Sequence, residues 1–211
     1  MATKARSVGI AAVTLAVAFA TSALAGEPRW TWLDRPPIIV EHPVLAASLA
    51  RLYAGSPRWR DALTDVVNTG RRIVVVTPDK VRVRDDRGGA DKPFDPTVLA
   101  EVQPMADEWS RVDTVVVVVN VPLFEKLYSD ASPADLEADL DRILAHEVYG
   151  HAIPYLLAGH LSGKCADPVR GQRATDACAI KRENEIRGEL RLGERREYGL
   201  HGLTIARRFR H

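Results

Sequence analysis

Five consecutive valines, at positions 115–119, constrain the fold of this chain more than any other segment. β-Branched side chains favour extended backbone, and a strand that is apolar at every position must be covered on both faces. We therefore expect residues 114–119 to form a strand near the centre of a small sheet.

Helical and strand-like patterns precede this run. Apolar residues recur at three- and four-residue spacing over residues 44–54 and 58–69, and Gly55 and Gly70 stand where helix C-terminal caps belong. Residues 73–76 are a second β-branched run. The alternation over residues 81–84, after Pro78-Asp79, predicts that this strand continues into a hairpin.

Two further helices are predicted after the valines. Ser132 is suited to be an N-cap, and Pro133 fits the first position of a long helix whose apolar face extends to Val148. Residues 175–192 form the second, followed by an Arg-rich tail. The chain is thus expected to be an α+β protein, with a small mixed sheet and one domain over residues 44–211.

The first 25 residues have the layout of a secretory signal peptide. Lys4 and Arg6 precede an apolar run over residues 8–20, and Ala23-Leu24-Ala25 supplies small residues for cleavage. A retained membrane anchor is the alternative, but these 13 residues reach only about 20 Å as a helix, less than the roughly 30 Å hydrocarbon layer. We predict a secreted or periplasmic protein without a membrane span, whose Pro-rich residues 26–43 form an extended arm.

The charge of the chain does not indicate a nucleic-acid partner. The formal net charge is +1, with Lys4 and Arg6 included, so no basic surface for nucleic acid is indicated.

Cys165 and Cys178 are the only cysteines. We predict a disulfide between them, because an oxidising compartment favours it and zinc thiolate pairs are usually closer in sequence.

His146-Glu147-Val148-Tyr149-Gly150-His151 places two imidazoles and a carboxylate in the helix that begins at Pro133. In the HExxH pattern of zinc enzymes, the histidines lie about 40° apart around the helix and reach one ion. Here they are five residues apart and would diverge by about 140° in a regular helix.

A one-residue π-bulge would return both imidazoles to a shared face. Gly150 permits irregular backbone, and Pro154 has no N–H to donate to the carbonyl group of Gly150. The local sequence therefore favours the bulge that a shared metal requires.

The segment HEVYGH resembles HELLGH of the dipeptidyl peptidase III family, whose zinc motif is HExxxH, and more broadly resembles the zincin metallopeptidases. Residues 183–199 resemble the closing helix, ENxxRxELGLxxRxxYG, of small HExxH peptidase domains in bacterial effectors and toxins. The chain departs from that family by the residue added between the histidines and by Arg191, where the family has Gly. The resemblance implies a zincin-like active-site helix followed by a helix that supplies a ligand.

Catalytic zinc usually takes three protein ligands and one water, so His146 and His151 need a third partner. Glu183 is our choice because it heads the matched segment, and Arg187, one turn later, is placed to hold it. Three residues remain alternatives for this ligand: Glu185, Glu189 and His160.

The predicted activity is hydrolysis of a peptide or protein substrate. Glu147 would take a proton from the attacking water and pass it to the leaving amine, while zinc polarises the scissile carbonyl. Tyr198 is a candidate donor to the oxyanion. The alternatives are a noncatalytic, metal-supported binding module and a zinc amidase that acts on cell-wall peptide.

Overall fold

A computed structural model of the chain describes residues 36–83, 92–107, 109–159 and 174–195. The predicted signal peptide and the first part of the predicted arm lie outside these residues. So do three residues of the predictions above: His160, Cys165 and Tyr198. The predicted disulfide therefore stays a prediction.

The elements are numbered in chain order. The strands are β1 (Ile38–Val40), β2 (Arg72–Val76), β3 (Arg82–Val83), β4 (Lys92–Pro93), β5 (Ala100–Ala106) and β6 (Val112–Val119). The helices are α1 (Pro43–Gly55), α2 (Pro57–Thr69), α3 (Val121–Leu127), α4 (Pro133–Leu144), α5 (Ile153–Ala158) and α6 (Ala174–Glu189). A π-helical segment, Ala145–Ala152, joins α4 to α5.

The main sheet has four strands in the order β1-β2-β6-β5. Strand β2 pairs in parallel with β1 and with β6, whereas β5 pairs antiparallel to β6. The valine-rich strand is interior to the sheet, as its composition predicted. The α+β class with a small mixed sheet is confirmed.

The two faces of β6 contribute to different apolar clusters. Val115, Val117 and Val119 are fully buried in the main core, together with residues of the helices. On the opposite face, Val118 packs with Val76 and Phe94 in a smaller cluster. The site described below lies on the helical face, since the π-helical segment contributes Ala145, Val148 and Ala152 to the main core.

The hairpin predicted after β2 is wrong. Both edges of β2 are already paired, with β1 and β6, so the next segment has no edge to return to. Residues Pro78–Lys80 form a short 3₁₀ turn instead, and β3 pairs with β4.

Strands β1 and β5 were not predicted. Strand β1 lies within residues 26–43, where an extended arm was expected, and forms one edge of the sheet. Strand β5 forms the other edge and contains Pro104, a residue that sheets accept mainly at edges. Its residues are half-buried or exposed, which explains why no clear apolar pattern marks it.

The start of α4 agrees with its sequence. Oγ of Ser132 accepts a hydrogen bond from the backbone N–H of Asp135 at 3.2 Å, and Pro133 takes the first helical position. The apolar face of α4 then carries the chain into the π-helical segment with Leu140 and Leu144 buried.

No helix in the described ranges combines the length and the apolarity that crossing a membrane requires.

Candidate metal centre

The helix that carries both histidines has the wide turn that their spacing required. The backbone N–H of Ile153 donates to the carbonyl oxygen of Val148, five residues earlier, and the π-helical geometry spans Ala145–Ala152. In this geometry His146 and His151 face each other, which a regular α-helix would not allow.

The two imidazoles approach through their Nε2 atoms, which are 3.3 Å apart. The ring centroids are 4.9 Å apart, and the rings are nearly perpendicular. Two nitrogens bound to one tetrahedral zinc at 2.0–2.1 Å lie about 3.3 to 3.4 Å from each other. The spacing of these Nε2 atoms therefore fits two ligand positions of a single zinc ion.

Glu183 approaches His146 from the opposite side of the ring. Its Oε2 atom lies 2.9 Å from Nδ1 of His146, so an N–H at Nδ1 can donate to the carboxylate. That tautomer leaves the Nε2 lone pair directed toward His151. Glu183, our predicted third ligand, thus lies beside Nδ1, which is the position of a carboxylate that orients an imidazole, whereas an ion shared by the two histidines would lie on the Nε2 side.

Two arginines hold the Glu183 carboxylate. Arg187 donates from Nη1 to Oε1 at 2.6 Å, the one-turn pair expected from the sequence, and Arg195 donates from Nη1 to Oε2 at 2.9 Å. Burial raises the pKa of Glu183, but the hydrogen bond with His146 and the charge of Arg195 outweigh burial and lower this pKa to about 2. Glu183 is therefore an anion inside the protein.

Asn184 and Arg187 form hydrogen bonds with the backbone of the segment that follows α6. Asn184 donates from Nδ2 to the carbonyl oxygen of Arg195 and accepts from its backbone N–H, both at 2.7 Å. Nε of Arg187 donates to the carbonyl oxygen of Gly193 at 2.6 Å. Arg195 is buried, at 7% exposure. It was not singled out from the sequence, although the pattern quoted for residues 183–199 has its second Arg at this position.

The turn after α6 places Arg191 in the left-handed region of backbone conformation. The N–H of Leu192 donates to the carbonyl oxygen of Arg187 at 2.9 Å, and that of Arg191 donates to Gly188 at 3.3 Å. This is the Schellman pattern of helix ends, whose left-handed position favours Gly. Arg191 occupies that position with φ +56°.

Gly150 allows α6 to approach the π-helical segment. A Cβ atom on Gly150 would lie 2.9 Å from Cβ of Ala179 and 3.0 Å from its Cα and its carbonyl oxygen. Since backbone atoms cannot move aside cheaply, this position excludes a side chain. Ala179 and Glu183 share a face of α6, so this contact sets how closely Glu183 can approach His146.

Burial and, second to it, nearby positive charges favour the neutral form of His151. Burial, and next the adjacent imidazole of His146, lower the pKa of His151 to about 3, and Arg182 and Arg195 act in the same direction. A neutral imidazole is the form that binds a metal. His151 is nevertheless partly exposed, whereas His146 is buried.

The remaining acidic candidates have separate positions. Glu147 is buried, at 8% exposure, within the π-helical segment. Glu185 accepts from the hydroxyl group of Tyr149 at 3.3 Å, and Glu189 accepts from the Ser56 hydroxyl at the start of α2. Neither of these two was found beside the histidine Nε2 atoms, where a third ligand is needed.

Within the part of the chain that the structure describes, no group of three His, Cys, Asp or Glu side chains is arranged to hold a metal ion. His146 and His151 fit two positions of zinc, and Glu183 fits the role of the carboxylate behind one of them. A third protein ligand would have to come from the undescribed residues, which include the alternative ligand His160.

Comparisons with protein-family models, with curated proteins and with solved structures return no match.

Proposed function

We propose that this chain is an exported zinc metallopeptidase in which His146 and His151 hold the metal through Nε2. The observation that carries the proposal is the 3.3 Å spacing of these atoms on a π-helical segment. Wide turns of this kind are rare, and they are frequent at functional sites. Two imidazoles at this spacing fit zinc ligation.

The orienting carboxylate supports the same proposal. Histidine ligands usually donate their second N–H to a carboxylate or carbonyl group, which fixes the tautomer and the ring direction. Glu183 occupies that place, and both of its oxygens are held by arginines. This fixed orientation of the His146 ring is what a metal ligand requires.

Glu147 is the proposed general base. It follows His146 directly, as the carboxylate does in HExxH enzymes, where it acts on the attacking water. When bound, zinc would supply Lewis acidity toward the scissile carbonyl group. Glu147 would accept the proton of the attacking water and deliver it to the departing amine.

Strand β5 is the proposed contact for an extended substrate. Among the strands that the structure describes, it is at the edge of the main sheet, and it packs against the π-helical segment. An unpaired edge offers backbone groups to an added peptide strand. The valine-rich strand β6 has no free edge for such a peptide, because its edges are occupied by β2 and β5.

The test combines metal content with hydrolysis of a peptide library by the mature protein. We expect about one zinc per chain and cleavage that a chelator abolishes. Glu147→Gln should keep the zinc and lose hydrolysis, whereas the control Glu185→Gln should keep both. Absence of zinc from the wild type contradicts the metal site, and full activity of Glu147→Gln contradicts the role of the base.

Bound zinc without cleavage of any peptide, including cell-wall peptide, would leave the noncatalytic binding module as the better description. Cleavage confined to cell-wall peptide would favour the amidase.

A further inference from the structure

The carbonyl group of Gly150 has a donor from outside its own helix. In an α-helix this oxygen would accept from the N–H of residue 154, but residue 154 is proline and has none. Nη1 of Arg182, on α6, donates to it at 3.1 Å. Gly150 is buried, and a buried carbonyl group gains from a hydrogen-bond donor because water is scarce there.

The residue that Arg182 contacts, Gly150, lies between the two histidines in sequence. Gly150 directly precedes His151, and Arg182 directly precedes Glu183, which holds His146. Neighbouring residues of α6 thus engage both ends of the HExxxH segment. One engages the ring of the first histidine, and the other engages the backbone at the second.

We propose that Arg182 is a positioning residue, which stabilises the wide turn through the Gly150 carbonyl and thereby keeps His151 facing His146. Its role as a determinant of metal binding depends on the proposed function above. Its effect on the helix does not.

The N–H of Ile153 reports the state of this turn. In the π geometry it donates to Val148, whereas in a regular α-helix it would donate to Tyr149. Coupling across this hydrogen bond, measured by NMR, identifies the acceptor carbonyl directly and requires no metal. Competition with a chromophoric chelator gives the zinc affinity of the same samples.

Three variants form the experiment. Arg182→Met removes the donor and keeps an apolar side chain of similar length, whereas Arg182→Lys keeps one donor. Arg60→Met is the matched control, because Arg60 also donates to a backbone carbonyl, that of Tyr53 at 2.7 Å, but far from the histidines in sequence.

We expect Arg182→Met to lose the Ile153–Val148 coupling and to bind zinc about 10- to 100-fold more weakly, the range typical of groups that support a ligand. Arg182→Lys should recover most of both, and Arg60→Met should change neither. Unchanged coupling and affinity in Arg182→Met would overturn the proposal. If wild-type protein showed the coupling but bound no zinc, the proposed function would fail, and the coupling in Arg182→Met would still decide the role of Arg182.

If Arg182→Met does not fold, the double variant with Pro154→Ala replaces it. The Pro154→Ala substitution supplies the missing N–H to Gly150, so the helix can continue in the α register. We expect the double variant to fold, to lose the Ile153–Val148 coupling and to bind zinc more weakly than Pro154→Ala alone. Retention of the coupling would also overturn the proposal.

Discussion

Glu183 contacts His146 at Nδ1, on the side of the ring that faces away from His151. This arrangement separates two roles that the sequence could not distinguish, ligand and orienting group. A ligand must reach the ion on the Nε2 side of His146. An orienting group instead binds Nδ1 and thereby sets the direction of Nε2.

The two roles predict different results for Glu183→Gln. As an orienting group, the amide still offers one oxygen to Nδ1, so zinc should bind about 10- to 100-fold more weakly with an unchanged coordination sphere. Cobalt substitution and its absorption spectrum measure both. A changed spectrum would show that Glu183 is itself a ligand.

Glu183→Gln should also destabilise the metal-free protein. It removes the charge that pairs with buried Arg187 and Arg195, and breaking such a buried group typically costs about 3 to 5 kcal/mol. Urea unfolding of the zinc-free protein measures this. The control is Glu185→Gln on the same helix, where the carboxylate side chain is 36% exposed and the change should stay within about 1 kcal/mol. Similar losses in both variants would argue against the buried cluster.

Gly150→Ala should damage the site, whereas Gly188→Ala should not. The added methyl group at position 150 meets the backbone of Ala179, and such overpacking typically costs about 1 to 3 kcal/mol. It should also move α6 and weaken zinc binding. An added Cβ at Gly188 has no atom within 4 Å, so that variant should be neutral or more stable by up to about 1 kcal/mol. Thermal unfolding and zinc titration of both proteins provide the comparison, and equal behaviour would mean that the close approach of α6 is unimportant.

Arg191→Gly should stabilise the protein by about 0.5 to 1 kcal/mol. Arg191 is exposed and has φ +56°, a conformation that costs a non-glycine residue roughly 1 to 2 kcal/mol, partly offset by the greater unfolded-state freedom of Gly. Gly193→Ala is the reciprocal test, because Gly193 has φ +76° and open space around it, so only backbone strain should appear. The urea denaturation midpoints of the two variants should therefore shift in opposite directions. Shifts of the same sign would contradict the role of left-handed backbone strain at these positions.

Asn184→Asp should loosen the segment that carries Arg195. The substitution replaces the Nδ2 donor, which now binds the carbonyl oxygen of Arg195, with an acceptor that repels it. The loss of one partly buried hydrogen bond and the new repulsion should cost about 1 to 3 kcal/mol. Limited trypsin digestion should then cleave after Arg195 faster than in the wild type. An unchanged cleavage rate would show that the Asn184 pair does not hold this segment.

The sequence was sufficient where local rules decide the outcome. The interior position of residues 115–119 follows from their uniform apolarity, and the start of α4 follows from Ser132 and Pro133. The wide turn follows from the histidine spacing, from Gly150 and from Pro154. In each case the residues that determine the feature lie within a few positions of each other in the sequence.

The sequence was insufficient where distant segments meet. Strand β5 has a mixed apolar pattern because one edge and much of its surface are exposed, so only its pairing with β6 identifies it. The nitrogen that Glu183 would contact depends on the packing of α6 against the π-helical segment. Arg195 becomes part of the site because Asn184 and Arg187 turn the chain back. The pattern quoted for residues 183–199 has an Arg at this position, but the sequence does not show that its side chain reaches Glu183.

The wide turn also changes the spacing of the buried residues along its helix. Five buried residues recur at intervals of four: Leu140, Leu144, Val148, Ala152 and Leu156, each 0–1% exposed. In an ideal α-helix every such step rotates by about 40°, so four steps would carry the last residue about 160° away from the first, toward solvent. An uninterrupted four-residue period through a helix is therefore itself a sign of a locally unwound turn, and a phase analysis of this kind can be applied to any chain in which two ligands are five residues apart.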